Sequence, residues 1–402
     1  MNPLKSAAAA VAAAALCASA AVAQVSNDVV KIGVISDMSG PYSAVSGMGL
    51  VRAVEMAVKD FGGSAAGKPV QVVWANYEGK VDVSVSKVRE WFDAANVDVV
   101  FDATDSASSI AITKIGAARK KPILFIGAGT TALTGKECTP YGIQWTYNSY
   151  ALSAGTVRAV TERGGDSWYL IAVDYALGQA MERDVQGVLA TTGGKVVGVT
   201  RHPLNAPDFS SQVLQAQASK AKVVGLANAA VDTQNAIRQA AEFGLTKNQT
   251  LAALLIFDND IKGLGLNLAQ GLLFTTAFYW DRTPETREFS KRFQQIQKAM
   301  PTQVHASGYS AAMHYLKAVA AAGSDGGDAV LQQMRKTPVS DFFSTSGSIR
   351  EDGQMMHDLY LAEVKKPSES SGEWDIARVI RTIPANVAFK PLADSECPLV
   401  KK

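Results

Sequence analysis

Along residues 29–131 the chain repeats one rhythm: a short β-branched apolar run, a loop of glycines and small polar residues, then apolar positions three and four apart. Val29 to Ile35 (VVKIGVI) carries little charge, as a strand buried on both faces requires. It feeds the polar loop SDMSGPYSAVSGMG. Val51, Val54, Ala57, Val58 and Phe61 then hold helical spacing, which Gly62-Gly63 stops. The same reading gives strands at Val70 to Trp74, Val97 to Phe101 and Ile123 to Ile126, a helix at Val85 to Ala95, and a further helix opened by the small hydroxyl-rich loop at Asp105-Ser106. Strand, loop and helix alternate without hairpin signals, which predicts a parallel sheet covered by helices on both faces.

Leu133 to Tyr150 breaks the rhythm with Gly, Pro and scattered aromatics, and reads as a crossing into a second lobe. There the alternation resumes. Strands are expected at Trp168 to Val173, Val196 to Thr200, Val223 to Leu226 and Leu251 to Ile256, with helices at Gln179 to Thr191, Ser210 to Ser219 and Thr233 to Phe243. A strand at Leu272 to Trp280 would cross back, and helices Thr286 to Met300 and Ser307 to Ala322 would complete the first lobe. A strand pair is expected around Gly347 and Leu359 to Val364. The predicted fold is α/β: two doubly wound parallel-sheet lobes joined by a multi-crossing hinge. The first lobe takes residues 24–147 and 281–340, the second 148–280 and 341–385, and a tail, 386–402, returns to the first.

Two small-residue loops sit one βα unit apart, at Asp105-Ser106 and at Gly127 to Thr131. In a doubly wound sheet both lie at the carboxyl ends of strands, where ligands bind, and exposed N–H groups and hydroxyls there suit a carboxylate. The bland alternative makes Ser106 a helix N-cap and Gly127 to Thr131 a turn.

Composition adds the compartment. Residues 1–23 hold one lysine, a long Ala/Val/Leu run and Ala21-Val22-Ala23, a secretory signal with an A-x-A cleavage site. No later run reaches the roughly 18 apolar residues of a spanning helix. The formal net charge of +2 and scattered basic residues exclude nucleic acid as an evident partner. Beyond the signal only Cys138 and Cys397 remain. In an oxidising compartment they pair most simply, two free buried thiols being the alternative.

Enzyme motifs fail on context. Gly127-Ala128-Gly129-Thr130-Thr131-Ala132 fits the dinucleotide fingerprint in form, yet Leu133 to Pro140 cannot continue as its helix and no acidic residue lies about 20 positions on. Gly135-Lys136 is followed by Glu137, where a phosphate loop needs Ser or Thr. His202, His305, His314 and His357 lack metal spacing and read as surface or cleft-rim residues. Gly308-Tyr309-Ser310 falls inside a helix, which excludes a strained nucleophile elbow. No catalytic residue, metal or cofactor is expected.

Across nearly the whole exported chain the sequence resembles the type I periplasmic solute-binding proteins of ABC importers, in the Leu/Ile/Val-receptor family. It is closest to the branch that captures aromatic and other organic acids. The resemblance rests on KIGVISDMSGPYS, Ile126-Gly127-Ala128-Gly129-Thr130-Thr131, LTGKECTP, WTYNSYAL, DYALGQAMERD, HPLNAPDFSSQVLQAQASKAKVVGLANA and ECPLVKK. It implies a periplasmic monomer whose lobes close over one ligand, delivery to a membrane permease, and no catalysis. It also implies that Ser106, Gly129 and Thr131, with Thr130 beside them, hold the ligand carboxylate, and that Tyr42 meets its apolar part. Tyr175, Leu177, Ala229 and Asp232 would close from the second lobe. Leu177 stands where relatives often have an aromatic, and Ala229 where the amino-acid receptor has a tyrosine. Phe257 lies near the position of the family's acidic residue for a ligand ammonium, with Asp258 and Asp260 alongside and Asp105 and Asp232 as further candidates. The expected ligand is therefore an aromatic or aliphatic carboxylic acid. A branched-chain amino acid is the alternative, and a ligand-sensing receptor of the same fold is a third reading.

Overall fold

The structure, a computed structural model, describes residues 25–401; the expected signal segment lies outside them. Its strands are β1 (Val30–Ser36), β2 (Ser64–Ala65), β3 (Lys68–Asn76), β4 (Val99–Ala103), β5 (Ile123–Phe125), β6 (Gly142–Gln144), β7 (Ser167–Val173), β8 (Lys195–His202), β9 (Val223–Ala227), β10 (Thr250–Ala253), β11 (Leu273–Thr276), β12 (Ser348–Ile349), β13 (Met355–Met356), β14 (Leu359–Val364) and β15 (Ala377–Ile383). One sheet runs β2-β3-β1-β4-β5-β6, parallel apart from the short β2. A second runs β10-β9-β7-β8, all parallel. In each, consecutive parallel strands part to either side of the lobe's first strand, β1 or β7. That leaves a crevice at the carboxyl ends of β1 and β4, and another at those of β7 and β9.

The apolar runs became strands because β1 and β4 are buried along nearly their whole length, as a sheet covered on both faces demands. Several elements were hidden. Helix Ser149–Glu162 is buried on most sides, at Ala151, Leu152, Ala154, Val157 and Val160 and at several small polar positions, so it shows no amphipathic stripe. Strand β6 and a 3₁₀ turn, Thr131–Thr134, occupy the segment expected to be only a crossing. Strand β15 pairs antiparallel with β14, which also pairs with β11, while the expected strand near Gly347 is the small β12–β13 hairpin.

Cys138 and Cys397 form a disulfide that ties the C-terminal segment back to the loop before β6. Among the described residues no helix is long and apolar enough to cross a membrane.

Candidate functional site

The loops at the carboxyl ends of both sheets meet in a cavity of about 30 Å³ between the lobes. On the first lobe, the loop after β1 is folded around the buried carboxylate of Asp37. One of its oxygens accepts the Gly40 N–H at 2.5 Å and the other accepts the Tyr42 N–H at 2.9 Å. A Cβ at Gly40 would come within 2.6 Å of that carboxylate, so the turn needs glycine. The result aims Tyr42 into the cavity.

After β4, buried Asp102 accepts hydrogen bonds from the Thr104 N–H and hydroxyl, at 2.9 and 2.7 Å, and from the Ser109 hydroxyl. Burial pushes its carboxyl up to about 6. Asp105, not Ser106, is the N-cap of the next helix, Ser106–Arg119: one carboxylate oxygen accepts the Ala107 and Ser108 N–H groups at 2.8 and 3.1 Å. Ser106 thus becomes the first helical residue. It lines the cavity, and its own N–H and hydroxyl take no protein partner among the described residues.

The loop after β5 lies hard against the loop after β4, because a Cβ at Gly127 would sit 3.0 Å from the Ala103 Cα. Its carbonyls are all drawn to one neighbouring segment. Ile126 O accepts the Thr146 hydroxyl at 2.7 Å, Gly127 O the Tyr147 hydroxyl at 3.0 Å, and Gly129 O the Ser149 N–H at 2.6 Å. Gln144 Nε2 donates to both Ala128 O and Thr130 O, at 2.9 and 3.1 Å. With the carbonyls engaged, the N–H groups of Ala128 and Gly129 remain without a protein acceptor among the described residues, on a stretch that lines the cavity. Together with Ser106 they form a cluster of unspent donors at a helix start, an arrangement suited to an anion.

The second lobe supplies Tyr175 and Leu177 after β7, Ala229 after β9, and Leu255 and Phe257 after β10. The lobes touch across the mouth: the hydroxyls of Tyr42 and Tyr175 lie 2.7 Å apart, and Asn259 Nδ2 donates to Ala44 O at 2.7 Å. Burial raises the pKa of both phenols, so they stay protonated. Val45, Tyr147 and Val304 add to a mostly apolar lining, in which Ser46, Thr104 and Asp105 are the further polar residues.

Of the residues picked from sequence, Tyr42, Ser106, Gly129, Tyr175, Leu177, Ala229 and Phe257 come together at this cavity. Thr130, Thr131 and Asp232 do not line it. The Thr130 hydroxyl caps the 3₁₀ turn by accepting the Ala132 N–H at 3.3 Å, and the Thr131 hydroxyl donates to Asp184 at 3.2 Å. The Asp232 carboxylate accepts the N–H groups of Asn205 and Ala206 at 3.1 and 2.9 Å, pinning another loop of its own lobe. Tyr147 and Ala128 were missed, although both stand in the segments WTYNSYAL and IGAGTT already singled out.

The profile of a family described as periplasmic binding protein matches residues 29–372. The chain belongs to that family. A periplasmic binding protein of Burkholderia mallei, solved as a crystal structure, matches with TM-score 0.92 and 47% identity over 93% of this chain and 100% of that one. A branched chain amino acid ABC transporter periplasmic ligand-binding protein of Burkholderia xenovorans LB400 matches with TM-score 0.83 and 38% identity, over 92% and 99%. A Leu/Ile/Val-binding protein homolog 6 of Brucella melitensis is 25% identical over 369 residues, 89% of this chain and 92% of that protein.

In this periplasmic binding protein several buried titratable groups near the cavity hold the scaffold, while Asp258, buried beside Phe257, keeps one carboxylate oxygen without a partner among the described residues. All four histidines are buried, against the expectation of surface or rim positions. His305 bridges Thr302 N–H, 3.1 Å from Nδ1, and Ser46 O, 2.9 Å from Nε2, which suits a neutral ring; burial lowers its pKa to about 4. Asp260 accepts the Phe257 N–H at 3.0 Å and a Gln234 amide at 2.8 Å. Asp105 is the only carboxylate on the cavity wall among the described residues, and its oxygens are taken by the helix cap and by the Ser108 hydroxyl at 2.9 Å.

Proposed function

We propose that this chain is the periplasmic binding component of an ABC importer, exported by its signal segment, and that it captures a small carboxylic acid with an apolar or aromatic body. One observation carries the ligand class. The cavity offers free donors at Ser106, Ala128 and Gly129 and a mostly apolar and aromatic remainder, and among the described residues the one carboxylate on its wall, Asp105, is already committed to the helix cap and Ser108. An anion buried without such donors would be strongly disfavoured, whereas each hydrogen bond to a charged group contributes about 1.5–3 kcal/mol. The ligand binds the first-lobe loops, the second lobe closes, and the closed monomer is what the permease recognises. Ligand drives closure only through contacts that exist in the closed form, a requirement that Tyr175, Leu177, Ala229 and Phe257 meet by sitting on the opposite lobe.

Branched-chain amino-acid binding is the second reading, favoured by the name of the 38% identical Burkholderia xenovorans relative. For the leading reading, Ser106→Ala is expected to weaken binding of a carboxylate ligand about tenfold or more by calorimetry, with unfolding unchanged. Unaltered affinity would remove Ser106 from the site.

A further inference from the structure

The Thr131 hydroxyl, which turns away from the cavity, ends on a carboxylate of the other lobe. Asp184 stands on helix Ala176–Thr192, and its Oδ2 accepts both the Thr131 hydroxyl at 3.2 Å and the Ser149 hydroxyl at 2.5 Å. The Ser149 N–H in turn donates to Gly129 O at 2.6 Å. Leu177, seven residues before Asp184, lies on the same face of that helix and over Gly129: a Cβ added there would be 2.7 Å from Leu177 Cδ1. One helix face of the second lobe therefore engages the ligand loop twice, through Leu177 directly and through Asp184 by way of Thr131 and Ser149.

We propose that Asp184 is a positioning residue that couples closure of the second lobe to the set of the Gly127–Thr130 loop, so that ligand affinity depends on it although its side chain lies outside the ligand cavity. This rests on the reading that ligand binds between the lobes at that loop. Asp184 borders a separate cleft of about 510 Å³, together with Arg183 of its own helix, Lys390 of the C-terminal segment, Lys136 and Glu396, which face each other at 3.5 Å, and the paired Arg350 and Asp352. Arg183 and Lys390 favour its charged form, but burial outweighs them and pushes the carboxyl up to about 6. In an opened molecule the group regains water and the ordinary carboxylate range. A carboxyl whose pKa is raised in the closed form favours closure most at low pH, and that advantage is lost as pH rises from about 4 through about 6.

Two readouts on the full mature protein test this: exchange protection of the Ser149 amide without ligand, and titration with benzoate and with leucine at pH 5.5 and 7.5. For the wild type, the probe that binds is expected to bind several-fold tighter at pH 5.5. Asp184→Ala should weaken it about tenfold and reduce Ser149 protection. Asp184→Asn, which keeps an acceptor, should restore most of the affinity while removing the pH dependence. Ser106→Ala should weaken binding about tenfold or more but leave Ser149 protection unchanged, which separates failure of the ligand assignment from failure of this one. Unchanged Ser149 protection in Asp184→Ala would overturn the proposal whether or not either probe binds. So would a wild-type pH profile that survives in Asp184→Asn.

Discussion

At the scale of single residues, the site is built by what its neighbours have already taken. Asp105 claims the helix cap and so frees the Ser106 hydroxyl. Gln144, Tyr147, Thr146 and Ser149 claim the loop carbonyls and leave two N–H groups on the cavity wall without an acceptor among the described residues. At Gly129 a side chain would meet Leu177, whose Cδ1 would lie 2.7 Å from an added Cβ. Gly129→Ala is therefore expected to reduce ligand affinity at least tenfold with little loss of folding stability, and Leu177→Ala in the same protein should recover part of it; calorimetric titration of the single and double variants checks both. Sequence reading chose loops that line the cavity, but not the directions of their side chains. The string Asp105-Ser106 is compatible with either residue as cap, and Thr130 and Thr131 carry the same hydroxyl as Ser106 while serving the turn and the other lobe. Direction is set by tertiary hydrogen bonds that composition does not encode.

At the scale of elements, strands were legible and some helices were not, for one physical reason. A strand covered on both faces is a run of apolar residues that stands out in the chain, as in Val30–Ser36. A helix covered on most sides loses its stripe, as in Ser149–Glu162, where Gly155 lies so close to the neighbouring strand that a Cβ would meet the Thr275 hydroxyl at 2.3 Å. The same tightness holds where β7 turns into helix Ala176–Thr192. There a Cβ on Gly178 would sit 1.9 Å from the Val173 carbonyl oxygen. Gly178→Ala is expected to destabilise by at least about 2 kcal/mol, since backbone must move, and chemical denaturation would show it. A change below about 0.5 kcal/mol would mean that the turn relaxes freely.

At the scale of the whole molecule, the two-lobe plan follows from alternation alone, and the loops at the strand ends could be located before any coordinates. The relative placement of the lobes could not, because it depends on contacts such as Tyr42 to Tyr175 and Asn259 to Ala44 between residues far apart in sequence. The disulfide acts at this scale too. Cys138 and Cys397 are 259 residues apart, so on the chain-entropy account their bond restricts the unfolded chain by about 5–6 kcal/mol. Reduction, or Cys138→Ser with Cys397→Ser, should lower the melting temperature clearly; an unchanged melt would show that the tail docks without the bond.

The ligand class is the central claim, and it turns on whether the cavity can satisfy an ammonium as well as a carboxylate. The most direct measurement is a thermal-shift screen of the mature protein against aromatic and aliphatic carboxylic acids and, in parallel, α-amino acids. A ligand that binds only the folded state must raise the melting temperature. Shifts with simple acids such as benzoate, and none with Leu, Ile or Val, are the expected result. A shift with the branched-chain amino acids instead would show that the site accommodates an α-ammonium, and the carboxylic-acid assignment would fall.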